Sequence, residues 1–125
     1  KVMPIVNYAA AINELATEIT GTAESKGFWD YDDIGDIGLV ATKLALIASE
    51  VSEALAVHRN EYTDDGEDIH TQMTPVQEDD FTGELADIVI RTLDLAAYYD
   101  LDIGNAIVDK MAVNRERPFR HGKRY

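Results

Sequence analysis

Two pairs of acids stand three residues apart inside otherwise apolar segments: Glu50 and Glu53 in KLALIASEVSEALAV (43–57), and Glu84 and Asp87 in FTGELADIVIRTLDLAAYY (81–99). At about 100° per residue this spacing puts both acids of a pair on one helix face. In the first segment that face also carries Leu39, Lys43, Leu46 and Val57, and Val40, Leu44, Ile47, Val51 and Leu55 border it. A carboxylate drawn out of bulk water is costly unless a cation or a donor meets it. The two pairs therefore ask for counter-charge, and facing each other they would surround a divalent cation. With no cysteine and three scattered histidines, the ligands on offer are oxygens, which favours Mg2+, with Mn2+ as the alternative.

Three further groups bear on a ligand. Lys110, Asn114 and Arg117 fall at i, i+4 and i+7 on one helix face, and two cations flanking an amide suit phosphate oxygens, although basic residues near a helix C-terminus are favoured by the helix dipole in any case. Lys43 shares the face of Glu50 and Glu53 and is taken as a substrate contact. Trp29, the one tryptophan, lies beside Phe28 in GTAESKGFWDYDDIGDIG (21–38). Two readings of it stand: a cap on the edge of the core, or a flat face on which a nucleobase stacks.

The elements that must position these residues are helices. Ile5, Tyr8, Ala9, Ile12, Leu15, Ala16 and Ile19 recur at helical spacing, with Pro4 suited to the first turn and Gly21 to the stop. A second helix is expected from about Leu39 to Asn60, with a small face of Ala45, Ser49, Ser52 and Ala56 suited to close approach by another helix. The acidic stretch 61–80 loses periodicity and reads as a connection, from which Thr74-Pro75 opens a third helix reaching Tyr99. That helix has a wide apolar arc and a narrow polar strip of Glu84, Asp87, Arg91, Asp94 and Tyr98. The strip reads either as turned into a cleft or as a solvent stripe held by an Arg91–Asp94 pair. Asp102 can cap a fourth helix that Pro118 ends. The expectation is one all-α domain over 1–125, a four-helix bundle with a basic tail at 115–125.

Charge narrows the partners. Residues 115–125 carry five basic groups and one acid, so residues 1–114 hold −17 against a net −13 for the chain. Such a body repels nucleic acid. No apolar run reaches the length of a membrane span and no signal segment opens the chain, so no membrane is expected and the cytoplasm is the default location.

In their order, SEVSEAL (49–55), GELADIVIRTLDLA (83–96) and KMAVNRERPFRHGK (110–123) resemble the MazG-like all-α nucleoside triphosphate pyrophosphohydrolases, with their E-E-x-x-E, E-x-x-D and K-x-x-x-N-x-x-R signatures. The resemblance implies a bundle completed by assembly as a homodimer or homotetramer, Mg2+ as cofactor, and hydrolysis of a nucleoside triphosphate between its α and β phosphates. It gives Glu50, Glu53, Glu84 and Asp87 the catalytic metal-ligand positions, and Lys110, Asn114 and Arg117 the phosphate contacts; the stretch before helix two, with Trp29, commonly helps form the base pocket. Ser49 stands where many members have a glutamate, and the segment between Glu53 and Glu84 is longer than usual. The alternative from another class is a non-catalytic acidic helical protein, such as an inhibitor that presents its charge to a basic partner.

Overall fold

A computed structural model of the chain describes residues 6–30, 35–62 and 75–119. These form four helices, α1 (Tyr8–Ser25), α2 (Gly35–Tyr62), α3 (Pro75–Tyr98) and α4 (Ile103–Glu116), with no strand among the described residues. No helix among them is long and apolar enough to cross a membrane. The expected roles of Pro4 and Thr74 and most of the acidic connection lie outside the described residues, as does the end of the basic tail.

The termini of the helices set the site. Asn7 caps α1, its Oδ1 accepting from the Ala10 N–H at 3.0 Å. Gly21, the expected stop, lies inside α1, which runs on to Ser25. The stop is Gly27 at φ +79: its N–H bonds the Glu24 carbonyl, and the Phe28 N–H bonds the Ala23 carbonyl at 3.0 Å. A left-handed residue with this bond pair is the Schellman ending that glycine favours, and it delivers Phe28 and Trp29 back onto the bundle. At the end of α3, Asp100 takes the left-handed position at φ 55, with the Leu101 N–H on the Ala96 carbonyl at 2.9 Å. Asp102 then caps α4, accepting from the Asn105 N–H and from Asn13 Nδ2 on α1.

The packing is a row rather than a closed square. α2 lies along α3, α3 along α1, and α1 carries α4, whereas α1 and α2 do not meet. The residues at the seams are mainly small: Ala16, Thr20 and Ala23 on α1, Ala54 on α2, Ala96 on α3. No large side chain among the described residues is fully buried. The small face of α2, expected to be covered, is exposed at Ala45, Ser49, Ser52 and Ala56.

The closest approach is between α1 and α4. Gly104 N–H donates to Asn13 Oδ1 at 2.8 Å, and a Cβ on Gly104 would lie 2.1 Å from the Ala9 carbonyl oxygen. A glycine-to-alanine change in a helix ordinarily gains up to about 1 kcal/mol of propensity. Here overpacking against backbone outweighs it, so Gly104→Ala should lower stability by about 1–3 kcal/mol. Chemical denaturation would read this as a lower midpoint; a raised one would mean that the helices separate at no cost.

Candidate metal centre

The α2–α3 seam brings the two acid pairs together. Glu50, Glu84 and Asp87 each present an oxygen within 4.8 Å of the other two, with Glu50 buried, Glu84 half-buried and Asp87 exposed. Glu53 stands against Glu50 and Glu84. A hydrogen bond with Glu50, the charge of Glu50, desolvation and the charge of Glu84 together hold its carboxyl above the usual glutamate range. Ionised carboxylates held this close repel one another, and a cation among them would relieve the repulsion. Ser49 is no part of the group: its hydroxyl donates back to the Leu46 carbonyl of its own helix at 2.7 Å.

Two oxygens decide whether a cation fits. Oε2 of Glu50 and Oε2 of Glu84 are buried with no hydrogen-bond partner among the described residues, a costly condition for carboxylate oxygens. The Glu50 side chain is only 8 % exposed, and its other oxygen takes the Arg91 Nε–H at 2.5 Å. Three converging acids, two of which carry an orphaned oxygen, match the hard oxygen donors that Mg2+ or Mn2+ takes from a protein.

Beside the acids opens a cleft of about 680 Å³, in the gap that α1 and α2 leave above α3. Leu15, Ile19, Leu46 and Ile90 give it apolar walls, Glu50, Asp87, Arg91 and Asp94 its acidic and basic end, and Phe28, 62 % exposed, an aromatic edge. The Arg91–Asp94 pair that the strip offered is replaced: Arg91 turns to Glu50, while Asp94 Oδ1 accepts from Thr20 Oγ1 at 2.6 Å and from Trp29 Nε1 at 2.9 Å.

Trp29 is the core cap and not a face for a base. It is 6 % exposed and packs in one cluster with Ala23 and Leu39. Tyr98 stacks on it at 3.6 Å between ring centres and 7° between planes, and Lys43 Nζ lies 4.1 Å from the indole centroid. A ring at that distance and an ammonium cannot share one face, so both faces of the indole are taken. Lys43, expected to touch substrate, is 8 % exposed and donates to the Phe28 carbonyl at 2.6 Å; it lines the cleft but fastens the 26–30 turn to α2. Burial pushes its ammonium below the usual lysine range, against the pull of Asp94 and with the repulsion of Arg91.

Lys110, Asn114 and Arg117 are exposed on α4 and its C-cap, and none lines the cleft. α4 packs on α1 and does not touch α2, so one chain does not carry these three to the acids. Arg117 instead borders a shallow hollow with Val113, Glu116 and Pro118.

No family model, no curated protein and no solved structure matches this chain.

Sequence reasoning passed over Arg91, Asp94 and Phe28 as site residues. The signal for Arg91 was present: it stands four residues after Asp87 on the same strip, the one cation in a row of acids.

A raised carboxyl pKa means that the folded form holds the proton more tightly than the unfolded one. Without a divalent cation, the Glu53 contribution is greatest at low pH and is lost as pH rises from the ordinary glutamate range through the raised value. A bound cation takes the place of the proton. Mg2+ should therefore raise Tm, by mass action on the folded form, and by more as pH rises through that window. Thermal melts with Mg2+ and with matched ionic strength of Na+ read the difference; a Glu53→Gln variant should flatten its pH dependence. Equal shifts from both salts would remove the site.

Proposed function

We propose that this chain is a MazG-like, Mg2+-dependent nucleoside triphosphate pyrophosphohydrolase that assembles as a homodimer or homotetramer. The observation that carries the reading is the pair of orphaned buried oxygens on Glu50 and Glu84, set among four acids at the end of a cleft large enough for a small molecule. The substrate would be hydrolysed between its α and β phosphates to a nucleoside monophosphate and pyrophosphate.

When bound, the divalent cation would supply charge neutralisation on the phosphate chain and lower the pKa of the attacking water. Glu50, Glu84 and Asp87 would hold it. Glu53, exposed beside them, would complete the set and accept the proton of that water. With Trp29 committed to the core, Phe28 is the aromatic left at the cleft for a base, facing the apolar walls of Leu15 and Ile19.

Release of pyrophosphate from the eight common ribo- and deoxynucleoside triphosphates tests the reading. At least one should turn over with Mg2+, and Glu84→Gln and Asp87→Asn should each lower kcat/KM by about a hundredfold or more, as loss of a group acting at the transition state does. Silence across the panel, together with a melt indifferent to Mg2+, would favour the non-catalytic acidic protein.

Assembly is part of the same reading. Leu44, Val51 and Leu55 lie half-exposed in one stripe of α2, a helix that rests on α3 alone, and Leu85 and Val89 are half-exposed on α3. A second copy would cover such stripes, and its α4 would be the source of Lys110, Asn114 and Arg117 for the acids of the first. Sedimentation at micromolar concentration should give at least a dimer; a monomer there contradicts this.

A further inference from the structure

Arg91 is held in an unusual way for a residue whose only task is to neutralise a buried acid. An arginine has five N–H donors, and its strong carboxylate pair is the one in which two parallel N–H groups meet both oxygens. Here Glu50 takes only Nε, through Oε1. The structure gives the four N–H groups of the terminal fork no partner among the described residues. The side chain is 41 % exposed and lines the cleft with Asp87 and Asp94. Its root is thus fixed by a carboxylate that is 8 % exposed, and its free fork belongs to the cleft wall.

Glu50 links the two halves of this arrangement. One of its oxygens holds Arg91, the other has no partner among the described residues, and Glu50 is one of the three acids that converge as a cation would need. A ligand with an oxyanion on that cation would therefore have the guanidinium fork next to it. The planar fork matches two oxygens of one phosphate, which an ammonium matches only as a point charge. The cleft end is otherwise acidic, so an anion enters only with the cation's charge in place.

We propose that Arg91 is the oxyanion contact that the chain itself supplies to this cleft: Glu50 anchors Nε, and the terminal fork binds two oxygens of the phosphate chain of an oligophosphate ligand. The proposal rests on the reading that the carboxylate group holds a divalent cation. It does not rest on hydrolysis. It also differs from the role of Lys110, Asn114 and Arg117, which need a neighbouring copy to arrive.

The test is calorimetric binding of inorganic pyrophosphate at saturating Mg2+ to the whole chain and to Arg91→Lys and Arg91→Gln. Mg2+ affinity is measured separately, without pyrophosphate. Arg91→Lys keeps a charge beside Glu50 and loses the fork. It should weaken pyrophosphate by about tenfold or more while leaving Mg2+ affinity within about threefold. Equal pyrophosphate affinity in all three proteins overturns the proposal, as does a parallel fall in both affinities, which would make Arg91 only a prop for Glu50. So does a wild type that binds no pyrophosphate. If neither variant folds, the wild type decides: pyrophosphate with Mg2+ should slow phenylglyoxal labelling of Arg91, read by peptide mass, and an unchanged rate overturns the contact. Nucleotide turnover by the wild type keeps the two readings apart. Turnover with unweakened pyrophosphate binding in Arg91→Lys removes this proposal alone. Weakened binding with no turnover of any nucleotide keeps Arg91 as an oxyanion contact and removes the pyrophosphohydrolase.

Discussion

The structure turns on one buried carboxylate that is half satisfied. Glu50 lies in the seam between α2 and α3, with Arg91 on one oxygen and nothing on the other. A carboxylate so placed is costly, and breaking its one pair would leave the whole charge buried and uncompensated. The one partner of that carboxylate, Arg91 on α3, also faces the cleft. Protonation of Glu53, which its neighbours favour, or a cation drawing on Glu50, Glu84 and Asp87 together would relieve the tension.

A second constraint lies in the contacts around Trp29, beside the cleft. The glycine-terminated end of α1 throws Trp29 against Tyr98 of α3, where Asp94 receives the indole N–H. Lys43 of α2 closes the arrangement by bonding the Phe28 carbonyl beside the indole. This clasp joins α1, α2 and α3 where α1 and α2 do not otherwise meet. It spends two residues that look chemical in the sequence, an aromatic and a cation, on architecture. In return it fixes Phe28 at the cleft edge and sets one wall against the mobility expected of a connection.

The four helices and the convergence of the two acid pairs were legible because both follow from periodicity. Three-residue spacing on an apolar segment fixes a face, and a narrow polar strip on α3 has few places to point. Gly21 misled because a glycine stops a helix only where the left-handed bond pair can form, and that pair forms at Gly27, where the chain must turn back. The choice between the two readings of Trp29, and the contact Lys43 makes within the chain, were not legible because a sequence shows what a side chain can do and not what already occupies it. The partner of Arg91 was hidden for the same reason: a helix strip offers Asp94 one turn on, but Glu50 lies on another helix, and the seam rather than the spacing chooses. The placement of α4 was beyond reach, since it depends on Gly104 meeting the Ala9 carbonyl, a contact between residues far apart in the chain.

The row-like packing ties these points together. A closed four-helix bundle would bury the stripe of Leu44, Val51 and Leu55 and fill the gap between α1 and α2; this chain does neither. Filling the gap with its own side chains would stabilise the fold but abolish the cleft, because the cleft is that gap. The exposed stripe has no such conflict, since it borders the acid face of α2 without lining the cleft and can be covered while the cleft stays open. The net charge of −13 sets the terms on which a cover is acceptable: two acidic bodies approach only where their contact is apolar or where basic residues intervene. The α2 stripe provides the first and the C-terminal end of α4, with Arg115 and Arg117, the second. A site left open within the chain and a surface left apolar outside it are thus two consequences of one decision in the fold, that α1 and α2 stay apart.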